Sequence, residues 1–193
     1  MQVVLASQSP YRREQLKAYG LIFESHNPEF DEEAFKAKDV SPRKLAVLLS
    51  KEKALSLSEK FQEAVIIGSD QLVSLKGLVM GKPGTKQKAI SQLSAMSGRT
   101  HELITAVTVY FRGKTYSDLD VAKIKMRKLN RDDIISYIYR DNPLDCAGSY
   151  RFEKSGYSLV ESIKLEDPSS LMGLPLIKLG KILRGLKEPL KFG

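Results

Sequence analysis

The sequence predicts an α/β protein with a mixed sheet flanked by helices. Three observations carry that expectation. Ala64-Val65-Ile66-Ile67 is an unbroken, β-branched apolar run, the pattern of a strand buried on both faces. Two helix starts, Ser9-Pro10 and Ser41-Pro42, use the same chemistry: a hydroxyl N-cap followed by a proline that needs no N–H. Arg99 to Arg127 is β-rich on both sides of Arg112-Gly113-Lys114, which reads as two long strands joined by a tight turn. No repeat, linker or low-complexity segment interrupts the 193 residues, so one unit spanning 1–193 is expected. That length suffices for one core or for two small lobes sharing a sheet, and strands this long can span two lobes.

In order, Gln2 to Ala6 reads as a short strand. A helix follows from Ser9-Pro10 to about Tyr19, stopped by Gly20. The loop between them holds Ser7, and the first helical turn holds Arg12 and Arg13. Free N–H groups at a helix start attract phosphate. Cations there oppose the helix dipole unless an anion sits beside them, although two solvated arginines would read the same way. Leu21 to Ser25 is a second strand, and Glu29-Phe30-Asp31-Glu32-Glu33 is an acidic loop. Such a run is ordinarily a solvated surface, but clustered carboxylates are also what a hard divalent cation takes. A long amphipathic helix runs from Arg43 to about Ser58, with Lys53 on the edge of its apolar face.

The stretch 64–83 organises the chain. Its apolar run stops at Gly68-Ser69, placing Asp70 at a strand end, where a carboxylate is costly unless paired or used. Gln71–Leu75 and Leu78–Met80 alternate around Lys76-Gly77, a hairpin signal. The hairpin would return Gly81-Lys82-Pro83 towards the level of Asp70, so an acid and a cation would share a site. A turn-capping aspartate beside a surface lysine is the plain structural alternative. Beyond it, Thr85 caps a helix to Met96, and Asn130 starts a short helix with Asp133 at its third position. Asp141 to Ser149 is a loop, Tyr157 to Lys164 a strand, and Asp167-Pro168 a one-turn helix. Gly173-Leu174-Pro175 leads into the last helix.

Composition narrows the function. A net charge of +8 implies an anionic partner. Basic residues are spread along the chain and there is no Trp, so no basic-aromatic surface for nucleic acid is visible; a small polyanion such as a nucleotide fits at least as well. No segment approaches the roughly 18 uninterrupted apolar residues of a membrane span, and Met1 to Leu5 lacks the features of a signal peptide. A single cysteine, Cys146, fits a reducing compartment, so a cytoplasmic location is expected. Gly77 to Lys82 is one residue short of a Walker A loop and ends in Pro83, and no dinucleotide fingerprint, zinc signature or nucleophile elbow occurs. His26 and His101 read as structural, and Cys146 has no histidine near it in sequence to activate it. What remains is a carboxylate-and-cation site, the kind that moves water onto a phosphate.

The ordered set Leu5 to Arg13, Asp31-Glu32, Glu52-Lys53-Ala54, Gly68-Ser69-Asp70, Gly81-Lys82-Pro83, Leu93 to Gly98, Cys146 to Ser149 and Gly173 to Leu176 resembles the Maf-like nucleoside triphosphate pyrophosphatases across nearly the whole chain. The resemblance implies a two-lobed α/β fold with a deep cleft between the lobes. It also implies hydrolysis of a nucleoside triphosphate to the monophosphate and pyrophosphate with a divalent metal, Mg or Mn. Asp70 would be the proton acceptor and a metal ligand, and Glu32 a metal or water-positioning acid. Ser7, Arg12, Lys53 and Lys82 would bind the triphosphate, and Arg13 is not carried over. Tyr11, Gln71 and Glu153 resemble the branch acting on 7-methyl-GTP, although Trp is commoner at the first position; the branch taking dTTP and UTP has Arg, Thr and Gln there. A cationic 7-methylguanine suits an aromatic face plus a carboxylate. A homodimer is a family expectation, and the family's association with cell division leaves a non-catalytic nucleotide-binding regulator as the alternative in another class.

Overall fold

The computed structural model describes residues 1–36 and 40–193, without the side chains of Glu33 and Lys36. Its strands are β1 (Val3–Ala6), β2 (Glu24–His26), β3 (Val65–Leu75), β4 (Leu78–Met80), β5 (Thr100–Phe111), β6 (Lys114–Met126) and β7 (Val160–Lys164). The helices are α1 (Pro10–Ala18), α2 (Glu32–Lys36), α3 (Pro42–Leu55), α4 (Lys86–Met96), α5 (Arg131–Asp141) and α6 (Leu176–Leu186). The strands form one mixed sheet in the order β2-β1-β3-β5-β6-β7, with β4 on β3. β1 runs parallel to both β2 and β3, whereas β4 returns antiparallel along β3 and β7 along β6. The expected α/β class with a mixed, helix-flanked sheet is therefore what the chain forms.

The chain divides into two compact units. The first is Met1–Asp70, Thr105–Asp120 and Asp167–Gly193; the second is Gln71–Ile104 and Val121–Glu166. Three of the four crossings between them fall inside β3, β5 and β6.

In the first unit the two faces of β3 are used differently. Val65 and Ile67 pack with Val3, Leu5, Leu16, Val107, Leu174, Leu179 and Leu183, which joins the sheet to α1 and α6. Ile66 packs on the opposite side with Val4, Ala6, Ala54 and Leu57, which joins it to α3. Burying each such side chain contributes about 1.5–3 kcal/mol, enough in sum to offset a buried carboxylate further along the same strand. The caps form as their sequences predict: Ser9 Oγ accepts from Arg12 N, Ser41 Oγ from Lys44 N and Thr85 Oγ1 from Lys88 N. Asn130 and Asp133 complete a reciprocal capping box.

Three expectations are corrected. β3 does not stop at Gly68-Ser69 but continues to Leu75, so Asp70 lies within a strand. Gly68 marks a close approach instead, since a Cβ there would fall 2.2 Å from Ser50 O and 2.7 Å from Ala54 N of α3. The acidic run is not all loop, because Glu32 begins the short helix α2. The second strand is Glu24–His26 rather than 21–25; Leu21 makes an isolated bridge to Phe192 instead.

Candidate active site

The alternation of β3 places the central acid. Ile66, Gly68 and Asp70 point to one face, and Gly68 admits the α3 backbone against it. Asp70 thus meets the side chain of Lys53, one turn beyond Leu49 and Ser50 on α3. Lys53 Nζ lies 2.5 Å from Asp70 Oδ1 and 3.3 Å from Glu32 Oε2. One ammonium bridges two carboxylates. Asp70 is 5% exposed, and its Oδ2 is buried with no hydrogen-bond partner. Burial raises the Asp70 carboxyl above the ordinary carboxylate range, and the charge of Glu32 adds to the rise. The Lys53 ammonium and the Arg12 guanidinium pull the other way. A desolvated carboxylate oriented through one oxygen, with the other unpartnered, can accept a proton or join a cation's coordination shell.

Ser69, the preceding residue, points to the other face. Its buried hydroxyl lies 2.8 Å from both Ala106 O and Gly173 O, and its own carbonyl accepts from Arg12 Nη1 at 2.8 Å. Arg12 Nε donates to Gly173 O, also at 2.8 Å. The guanidinium is therefore fixed by two main-chain carbonyls, one on β3 and one just before α6. Gly173 has φ +97°, and a Cβ there would stand 3.2 Å from Arg12 Nε. Ser7 follows Ala6, whose partner in the sheet is Gly68; its Oγ accepts from Ser9 N and its carbonyl accepts from Ser25 Oγ. Tyr11 is half-buried at the start of α1, and Arg13 is exposed. The first unit thus gathers Asp70, Lys53 and Glu32 in direct contact, and Arg12 bonds to Ser69, the residue before Asp70.

Lys82, Gln71 and Glu153 belong to the second unit. The hairpin turn forms at Lys76 and Gly77, both at positive φ, as a two-residue primed turn requires. β4 ends at Met80, opposite Val73, and Lys82 is exposed in the coil beyond it. That coil is anchored at Gly81, whose carbonyl accepts from Gln92 Nε2 at 3.0 Å and from Gly148 N at 3.4 Å. Gly84 N donates to Leu144 O. The Gly81-Lys82-Pro83 and Cys146–Ser149 segments are therefore pinned together, with Ser149 Oγ donating to Gln92 Oε1. Gln71 and Glu153 are half-buried.

The cysteine and histidines stand apart from this chemistry. Burial pushes the Cys146 thiol up to about 12 and the His101 imidazole down to about 4. His101 Nε2 sits 2.9 Å from the Tyr150 hydroxyl, a buried structural pair, and His26 pairs with Glu24. Sequence reasoning assigned no role to Ser69 or Gly173, although both lay in motifs it singled out. Their partners are 104 and 161 residues away, beyond any local pattern.

Among the described residues, no three His, Cys, Asp or Glu side chains cluster as a closed metal site. Asp70 Oδ2 and the Glu32 carboxylate nevertheless fit a magnesium-type ion, which takes one or two protein carboxylates and completes its shell with phosphate oxygens and water.

A family model described as "Maf-like protein" matches residues 2–186. The chain belongs to this family. Among its curated relatives, the 7-methyl-GTP pyrophosphatase of Bdellovibrio bacteriovorus is 44% identical over 94% of this chain and 95% of its own. Those of Xanthomonas axonopodis pv. citri and Hahella chejuensis are 42% and 40% identical, over 94% and 97% of this chain and 95% and 96% of theirs. A solved HAM1 protein from Coxiella burnetii shares the fold, with a TM-score of 0.50 at 15% identity over 96% of this chain and 99% of that one. No helix among the described residues is long and apolar enough to cross a membrane.

Proposed function

We propose that this Maf-family protein hydrolyses a nucleoside triphosphate to the monophosphate and pyrophosphate, with 7-methyl-GTP as its preferred substrate. The observation that carries the chemistry is Asp70: buried, oriented through Oδ1 by Lys53, and with Oδ2 unpartnered. Water attacks the α-phosphorus and gives its proton to the Asp70 carboxylate. A water O–P bond forms as the bond from the α-phosphorus to the α–β bridging oxygen breaks, and pyrophosphate leaves with that electron pair. Arg12, held rigidly by two carbonyls, binds phosphate together with Ser7, Lys53 and Lys82, which neutralises the polyanion and positions it. Glu32 and Asp70 are the residues that would hold Mg or Mn. Such an ion would offset charge on the phosphates and on the departing pyrophosphate.

The base preference rests on Tyr11, Gln71 and Glu153 together with the names of the relatives. A 7-methylguanine carries positive charge, for which an aromatic face and a carboxylate are complementary. In this reading the substrate is a free nucleotide rather than a nucleic acid, and the protein works in the cytoplasm as a homodimer.

The deciding experiment measures pyrophosphate release with magnesium from 7-methyl-GTP, GTP, UTP and dTTP, with Asp70→Asn alongside. Fastest cleavage of 7-methyl-GTP and an inactive variant are expected. Faster cleavage of UTP or dTTP would overturn the base assignment alone. An Asp70→Asn enzyme as active as wild type would overturn the mechanism and bring the nucleotide-binding regulator forward.

A further inference from the structure

We propose that Asp167 is a positioning residue for the reaction, which acts by fixing the turn whose Gly173 carbonyl holds Arg12. The inference rests on the reading of Arg12 as a triphosphate ligand.

The turn at 167–174 lies in the same unit as Arg12 and Asp70. Asp167 is fully buried, and its carboxylate is saturated by four donors. Oδ1 accepts from Ser169 N at 3.2 Å and Ser169 Oγ at 2.5 Å; Oδ2 accepts from Ile177 N at 2.8 Å and Lys178 N at 3.2 Å. The last two are orphan N–H groups in the first turn of α6. The N-cap there is Pro175, which has no side-chain acceptor, so Asp167 caps α6 from outside the helix. One side chain thus ties the start of the turn to the helix that follows it.

The rest of the turn is braced from three directions. Asp120 accepts from Asp167 N and from Ser170 Oγ, and Thr105 Oγ1 donates to Ser170 O. From α1, Gln15 Nε2 donates to both Ser169 O and Leu174 O. Gln15 stands three residues after Arg12, on the same helical face. α1 therefore grips one turn with two side chains, Gln15 at its flanks and Arg12 at the Gly173 carbonyl. Gly173 N closes the turn on Ser170 O. Of the two carbonyls that hold Arg12, Gly173 O is placed by this network together with the Ser69 hydroxyl, whereas Ser69 O belongs to β3.

Asparagine is the informative replacement at Asp167. It keeps the shape but turns one acceptor into an NH2 group facing N–H or O–H donors, so half of the cap becomes repulsive. The test is a double-mutant cycle with Asp167→Asn and Arg12→Ala, reading pyrophosphate release from 7-methyl-GTP as kcat and KM separately, with thermal unfolding of each variant. The expected result is a loss of about 10-fold to 100-fold in kcat/KM for Asp167→Asn, carried mainly by KM. In the Arg12→Ala background the same change is expected to cost less than about 2-fold, because the group it positions is gone. An equal loss in both backgrounds would overturn the proposal and leave Asp167 a fold residue only. An Arg12→Ala enzyme with wild-type KM would refute the phosphate role of Arg12 itself, a distinct failure. If Asp167→Asn does not fold, Gln15→Met in the same cycle loosens the same turn from the α1 side. A coupling of at least about 3-fold is expected there, and additivity would again overturn the proposal.

Discussion

Gly68 is the residue whose replacement tests most directly whether the spacing of β3 and α3 makes the site. A Cβ at this position would lie 2.2 Å from Ser50 O, 2.7 Å from Ala54 N and 3.1 Å from Ala54 Cβ. Two of the three are backbone atoms of α3 and cannot rotate away. To reach ordinary van der Waals contact, Ser50 O and the strand must separate by about 1 Å. Lys53 is three residues along the same helix, so the separation draws its ammonium away from Asp70 Oδ1, now 2.5 Å distant, and disturbs the contact with Glu32 at 3.3 Å. Overpacking of this kind costs about 1–3 kcal/mol of stability. A misplacement of about 1 Å in a reacting constellation costs on the order of 100-fold in rate. Gly68→Ala should therefore fold with a lowered melting temperature and lose about 100-fold in kcat/KM for pyrophosphate release. Thermal unfolding and steady-state kinetics on one preparation separate the two effects. Near-wild-type kinetics at any stability would refute the reasoning, since Lys53 would then tolerate a displaced α3.

Other outcomes follow from the same geometry. The pKa of Asp70 is raised in the folded state, so kcat/KM should fall with decreasing pH at a value above the ordinary 3.8, and Asp70→Asn should lower kcat by about 10²–10⁴. The raised value has a stability counterpart: its contribution is complete below the unfolded pKa and is lost as pH rises through the folded one. The melting temperature of Asp70→Asn relative to wild type should therefore increase as pH rises across that window. Arg12→Lys replaces a fork bonded to two carbonyls with a point charge; KM should rise about 10-fold with a smaller change in kcat, and equal parameters would contradict the clamp. The Cys146 thiol, pushed up to about 12 by burial, should leave activity unchanged after iodoacetamide treatment at neutral pH, with mass spectrometry reporting whether it was labelled.

The parts of the fold legible in the sequence were those governed by local chemistry. Ser9-Pro10 and Ser41-Pro42 started helices because a hydroxyl acceptor and a missing N–H suit only a helix N-terminus. Lys76-Gly77 and Arg112-Gly113 made turns because both residues of each pair take positive φ. Gly68 misled because a missing Cβ is the same signal whether the chain turns or another backbone comes close, and only α3 decides between them. Helix α2 went unseen because five residues are too few to show a 3.6-residue period. The candidate site divides in the same way. Asp70, Lys53, Glu32 and Arg12 stood out through residue type and resemblance, whereas the Gly173 carbonyl that holds Arg12 is main chain, 161 residues away, with no side chain to announce it.

In the proposed reading, an excess of positive charge accounts for the attraction of a polyanion, but not for two carboxylates at the site that would bind it. Lys53 resolves the conflict. Alone, Asp70 and Glu32 would repel each other and the phosphates; bridged by one ammonium, they form a cluster of net charge −1 when both are ionised. A bound divalent cation would reverse that sign, so the cluster would become attractive to phosphate only with the metal in place. Arg12 differs from Lys53 in that two of its bonds go to main-chain carbonyls, although its charge also acts on Asp70. The site thus pairs a cation bonded to main-chain carbonyls with one whose partners are the carboxylates of Asp70 and Glu32. Lys53→Met should consequently change the metal dependence of activity, whereas Arg12→Lys should change only the dependence on nucleotide. Identical shifts in both variants, measured by titrating Mn2+ and 7-methyl-GTP in turn, would show that the two cations do not divide the work in this way.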